Sequence, residues 1–215
     1  MGQYYKIINF DQKEILYPFD FGNGLKLLEW SYDLNEMVLA LMNLLAGDWA
    51  GDRVAVVGDY ADSGPEEPWG DTYEAYVQEI GDDDLYSWAG DHFKYLHPGE
   101  DVSTEDRGYR YIYNNATRQF IDMEHCPVEW EWTDKDTGKS GVTKIAPLPL
   151  LLAMGNGRGG GDYRENHPSY NLVGSWCSTV RSIQVSATPL PGTEDYEELK
   201  PGFTENVTVE IQEEE

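Results

Sequence analysis

The stretch of this 215-residue chain most able to do chemistry is Gly155-Asn156-Gly157-Arg158-Gly159-Gly160-Gly161-Asp162. Gly155, Gly157 and Gly160 fall in the spacing G-x-G-x-x-G, which binds dinucleotides when it links a strand to a helix and offers phosphate the helix N-terminus. Here the string follows an apolar helical run and leads into coil, so that context is missing. Bare N–H groups in a glycine turn still form an anion nest, with Arg158 adding charge. The opposite reading is a Ca²⁺ site using Asp162, Asn156 and backbone carbonyls, and the plainest is a tight turn that needs positive φ. His167 follows closely, near Arg158, Asp162 and Glu165. Gly157, Arg158, Gly160, Asp162 and His167 are therefore the candidate ligand-binding residues for a phosphate compound or Ca²⁺.

No catalytic set emerges elsewhere. His92, His97 and His125 are scattered, and GxSxG, P-loop and HExxH patterns are absent. Cys126 and Cys177 are too few for a disulfide scaffold and have no ligand-spaced neighbours, so two thiols in a reducing cytoplasm are expected and no metal or cofactor. The start of the chain shows no basic stretch followed by an apolar run, so no signal peptide is expected. The longest apolar run, near Ala146–Met154, is too short to span a bilayer.

Charge is the second outlier. The net charge is −25, and it is unevenly spread. Residues 59–106 hold fifteen acidic residues against Lys94 alone, and 194–215 hold nine against Lys200 alone. Such a field repels nucleic acid and anionic membranes and attracts basic protein surfaces. With seven Trp and fifteen Tyr the chain is not a disordered polyanion. Three readings of the acidic face follow: a solubilising surface, a divalent-cation site at Asp82-Asp83-Asp84, or carboxylates fixed by interleaved aromatics into an imitation of a phosphate backbone. The last makes Glu66, Glu67, Asp71, Asp82, Asp83 and Asp84 the candidate partner-binding residues, and a basic, nucleic-acid-binding protein or nuclease the candidate partner.

The elements that must position these groups come in two similar sets. Tyr4–Tyr17 alternates as a hairpin, and Tyr111–Asp122 repeats it, with Ile7 matching Ile112, Asn9 matching Asn114, Lys13 matching Arg118 and Glu14 matching Gln119. Leu44-Leu45-Ala46 then leads to Trp49 and a strand at 52–57. Leu151-Leu152-Ala153 leads likewise to Trp176 and a strand at 180–185. A helix over 34–46 is expected, capped by Asp33 with Glu36, and a shorter one over 148–154. In the acidic segment a capping box at Asp71 and Glu74 opens one helix. A second is expected after Asp84, with Leu85, Trp88 and Ala89 inward. Val128–Ile145 reads as a hairpin, and Thr204–Ile211 as a last strand.

The expected fold is α+β, mainly antiparallel. It comprises a first repeat unit at 1–58, an acidic helical insertion at 59–106, a second unit at 107–193 and an acidic strand and tail at 194–215. The opening Met1-Gly2-Gln3-Tyr4-Tyr5-Lys6, the string Trp49-Ala50-Gly51-Asp52-Arg53, and Asn156-Gly157-Arg158-Gly159-Gly160-Gly161-Asp162 followed by Gly174-Ser175-Trp176 resemble a family of bacterial and mobile-element proteins. The resemblance spans both units. That family has no established activity, so the resemblance implies no site residues; it does bring to mind an inhibitor of a host or defence nuclease.

Overall fold

A hairpin closed by an asparagine begins the chain and begins it again a hundred residues later. The computed structural model describes residues 3–61, 84–126, 128–133, 137–154, 163, 167, 169–177 and 182–202. Strands β1 (Tyr5–Asn9) and β2 (Glu14–Leu16) pair antiparallel, with Ile7 opposite Leu16. Asn9 Oδ1 accepts from the N–H groups of Asp11 (2.9 Å) and Gln12 (3.0 Å), and Lys13 completes the turn at φ 58°. This local bonding lets a short polar side chain replace a glycine-based turn. After helix α1 (Glu36–Leu45), strand β3 (Val54–Gly58) pairs antiparallel with the other side of β1. Helix α2 (Leu85–His92) follows, and β4 (Lys94–Tyr95) returns parallel to β2.

The second unit repeats the hairpin, the helix, the third strand and the returning dipeptide, without a counterpart of α2 among the described residues. Strands β5 (Tyr111–Asn114) and β6 (Gln119–Asp122) form the hairpin. Asn114 Oδ1 accepts from Ala116 and Thr117, and Arg118 has φ 55°. A separate hairpin of β7 (Val128–Thr133) and β8 (Ser140–Lys144) stands where one was expected. Helix α3 (Pro147–Leu151) and strand β9 (Ala153–Met154) come next, and then β10 (Ile183–Ser186) pairs antiparallel with β5. Finally β11 (Glu197–Glu198) lies parallel to β6. The fold is α+β: sheets ordered β4-β2-β1-β3-β9 and β10-β5-β6-β11 plus the two-stranded β7-β8. One continuous core runs from Tyr5, Ile7 and Ile8 to Leu150, Leu151 and Trp176.

The repeat reaches single atoms. Trp49 Nε1 donates to Glu14 Oε2 at 2.8 Å, and Trp176 Nε1 donates to Gln119 Oε1 at 3.0 Å. Glu14 and Gln119 are matching positions of β2 and β6, and both indoles are fully buried. Each tryptophan also donates its backbone N–H to the matching helix-end carbonyl, Trp49 to Leu44 (2.8 Å) and Trp176 to Leu151 (3.0 Å). The indole thus ties the end of a helix to the second strand of its hairpin.

Several expectations need correction. Asn35 caps α1, its side chain accepting from Met37 N, while Asp33 accepts from Leu34 N in a turn just before. Leu34 has φ 62°, so the chain has not yet entered the helix there. The expected helix over 148–154 stops at Leu151, because Leu152 turns outward and its carbonyl accepts from Val56 N at 3.0 Å. A five-residue helix has little intrinsic stability, so this strand pairing prevails. The strands match one residue later than the sequence suggests: Val54 stands opposite Asn9, and Ile183 opposite Asn114. The acidic insertion also does not end outside the first unit. Its last part forms β4, the counterpart of β11. The expected helix opened by Asp71 and Glu74, and the strand over 204–211, lie outside the described residues.

Removing one indole donor while keeping an aromatic ring tests these ties. Trp176→Phe leaves a neutral amide without its partner and is expected to cost about 1 kcal/mol. Trp49→Phe strips a carboxylate and is expected to cost about 2–3 kcal/mol. Urea unfolding of both variants gives the comparison; equal losses would show that the charge on Glu14 adds nothing to the bond.

Candidate functional site

Of the six carboxylates expected to face a partner, Glu66, Glu67, Asp71, Asp82 and Asp83 lie outside the described residues. Asp84 is the N-cap of α2, its Oδ1 accepting from Ser87 N at 2.7 Å. Leu85, Trp88 and Ala89 are buried as expected, while Asp91 points to solvent. Trp88 is held in place by an edge contact with Phe93 and a stack on His92. The glycine-loop candidates Gly157, Arg158, Gly160 and Asp162 also lie outside the described residues. His167 packs edge-on against Tyr163, ring centres 5.3 Å apart. Tyr163 is buried, and its hydroxyl accepts from Ser31 Oγ at 3.1 Å, so the chain just beyond the loop is fastened to the first unit.

The best-defined polar site lies where sequence reasoning had placed nothing. Lys6, on β1, is only 6% exposed. Its Nζ donates to the Tyr86 carbonyl (3.0 Å) and to Tyr95 Oη (3.4 Å). It sits 3.9 Å from the centre of the Tyr86 ring, with Tyr17 and Tyr95 rings at 5.8 and 5.9 Å. β1, the residue after β2, α2 and β4 each supply one wall. No carboxylate among the described residues reaches ion-pair distance of the ammonium. Burial pushes its pKa down, and the fields of Asp84 and Asp91 partly restore it. Burial also raises the Tyr86 phenol, with Tyr17 close by. Gly90 leaves room for the caged ammonium: a Cβ there would stand 2.6 Å from Lys6 Nζ and 3.1 Å from Tyr95 Oη, so one of these side chains would have to shift. A deprotonated lysine in such a place can be a nucleophile. This one is surrounded by donor-accepting groups and aromatic faces, so its role is to hold α2 on the sheet by cation–π attraction.

The corresponding place in the second unit carries opposite chemistry. Tyr111, Asp122 and Glu198 occupy the positions of Lys6, Tyr17 and Tyr95, as the strand registers require. Arg110 grips Asp122 with two bonds of 2.7 and 2.6 Å and also pairs with Glu124. Glu198 bonds His125 and lies 3.7 Å from Lys200. The Arg110 bonds hold the Asp122 carboxyl below its ordinary range. On the same face Tyr113 stacks on Phe120, and these rings with Tyr111, Tyr196, Pro189 and Pro191 border a cleft of about 460 Å³.

A cleft of about 410 Å³ beside β2 and β4 is lined by Glu14, Asp48, Asp101 and Lys94. No cluster of three metal-ligating side chains occurs among the described residues. Cys126 is buried and Cys177 half-buried. No helix among the described residues is long and apolar enough to cross a membrane. Compared with known protein families, curated proteins and solved structures, the chain matches none.

Two measurements probe these sites. Gly→Ala inside a helix ordinarily adds up to about 1 kcal/mol. Gly90→Ala is expected to destabilise instead, and to become stabilising in a Lys6→Ala background, where the obstructing amine is gone; thermal unfolding of the three variants reads the sign. The Asp122 carboxyl has its pKa depressed by folding, so its contribution is complete above the ordinary aspartate range and is lost as pH falls through the lower folded value. A ¹³C NMR titration is expected to place its midpoint below 3.8, and Arg110→Gln to move it up.

Proposed function

We propose that this chain is an acidic binding protein for a basic partner, and that it presents a nucleic-acid-like field to a protein that normally holds DNA or RNA. The observation that carries this reading is the fate of the positive charges. Arg53, Lys94, Arg107, Arg110, Arg118 and Lys200 are each paired with a carboxylate. Lys6 is buried in its tyrosine cage. Seven of the eleven lysines and arginines among the described residues are thus engaged within the molecule, and a chain with net charge −25 leaves its excess negative charge to the surroundings.

Rigidity is the second requirement of such a surface, because mobile carboxylates would have to be ordered on binding at an entropic cost. Helix α2 meets it: capped by Asp84, fixed by Leu85, Trp88 and Ala89, and held from below by Lys6. The resemblance to mobile-element proteins makes a host or defence nuclease the partner class to try first.

The test is a set of carboxylate-to-amide changes, Glu66→Gln, Glu67→Gln, Asp71→Asn, Asp82→Asn, Asp83→Asn and Asp84→Asn. Asparagine caps a helix as well as aspartate does, so the change at 84 removes charge without removing the cap. Capture from a native host lysate is expected to yield a nucleic-acid-binding protein, released by high salt and displaced by added DNA or RNA. The six-fold variant should bind that protein about ten-fold more weakly or worse, at an unchanged melting temperature. A captured partner indifferent to nucleic acid, or undiminished capture by the variant, overturns the reading.

A further inference from the structure

The two units contact each other reciprocally, and one of the two reciprocal contacts is incomplete. In the first sheet, Val56 faces Ile7 across the β1–β3 ladder. The bond from Phe10 N to Arg53 O sets the alternation along that ladder, so the N–H and C=O of Val56 turn away from β1. They meet β9 of the second unit: Val56 N donates to Leu152 O at 3.0 Å, and Val56 and Val57 run parallel to Ala153 and Met154. In the second sheet, Val185 faces Ile112, the match of Ile7, and Asn115 N donates to Ser182 O. The alternation is the same, so the N–H and C=O of Val185 and Ile183 also turn away from their ladder.

What they meet is the first unit, at the residues that match Leu152 and Ala153. These are Leu45 and Ala46. They form the end of α1 and the turn after it rather than a strand. No backbone bond among the described residues crosses from them to Ile183 or Val185. A cleft of about 270 Å³ lies there, lined by Leu45, Ala46, Ala50, Gly51, Ile183 and Val185 among others. Ile183 and Val185 are 4% and 6% exposed, so the outward backbone groups sit at the bottom of the cleft rather than on an open edge.

We infer that this cleft is a peptide-binding site, in which an extended stretch of two or three residues from a partner protein pairs parallel with β10. The molecule displays the occupant's chemistry on its own matching edge. Leu152-Ala153-Met154 supplies an acceptor to Val56, runs parallel to β3, and places a small buried side chain, Ala153, opposite Val56. An occupant of the β10 cleft likewise needs a carbonyl for Val185 N, an N–H for Val185 O, and apolar side chains with a small one at the middle position. This is strand addition to a sheet edge, with main-chain bonds giving affinity and the cleft walls selecting side-chain size. The site uses none of the acidic residues of the proposed function, so either can fail without the other.

The test uses the full chain and the peptide N-acetyl-Leu-Ala-Met-amide, a copy of the segment that fills the matching edge. Saturable ¹H–¹⁵N shifts are expected at Leu45, Ala46, Gly51, Ile183 and Val185, together with about ten-fold slower hydrogen exchange at the Val185 amide. The same peptide N-methylated at its methionine lacks the donor for Val185 O and is expected to shift nothing. Val185→Pro removes the outward N–H but no ladder bond, a place where an edge strand tolerates proline. Ala46→Leu fills the cleft from the other wall. Both variants should abolish the shifts, and if Val185→Pro does not fold, Ala46→Leu decides. No saturable shift with the unmodified peptide, equal binding of the N-methylated one, or binding that survives Ala46→Leu overturns the inference.

Discussion

The constraint on which this structure turns is that a strand edge cannot leave its N–H and C=O groups unpaired where water is scarce. Each unit builds only a three-stranded antiparallel core, hairpin plus one strand, and so creates two edges. The β2 and β6 edges are closed by dipeptide strands that come back from far along the chain, β4 and β11. The β3 edge is closed by the other unit through β9. That crossing makes the first sheet depend on the second unit, and one core spans both.

The units have the same backbone and different outer faces. In the first, Lys6 and its tyrosines fasten a helix over the sheet. In the second, the matching positions hold an Arg–Asp–His–Glu network and an aromatic cleft bordered by the connection that includes Pro189 and Pro191. A buried ammonium without a carboxylate contact is costly. Here it lies beneath α2, and the fields of Asp84 and Asp91 offset part of the cost of burying it. The charge imbalance and the position of α2 are therefore parts of one arrangement.

The two hairpins, the inward face of α2 and the β7–β8 pair were legible in the sequence, because alternation, turn residues and helical spacing are local signals. So was the order of the repeat. The dipeptide strands β4, β9 and β11 were not, since two residues show no periodicity and their partners are set by tertiary contact alone. Asp33 with Glu36 looked like a better cap than Asn35, and only the backbone turn at Leu34 decides between them. The Lys6 cage joins residues 80 and 89 apart in sequence, and a lysine in a run of tyrosine and isoleucine carries no mark of burial. The one available hint was that Lys6 lies on a strand whose neighbours are all apolar or aromatic.

The connection from β3 to β4 has about 35 residues, while its counterpart from β10 to β11 has about 10. Closing a longer chain segment raises the entropic cost only logarithmically, so this difference amounts to about 1 kcal/mol. A scaffold that closes its sheets with returning dipeptides can therefore exchange the intervening cassette cheaply, for one of another length or charge, while the strands that receive it stay as they are. Diversity in what such a molecule recognises would then accumulate in one segment of the gene, with the architecture around it held constant.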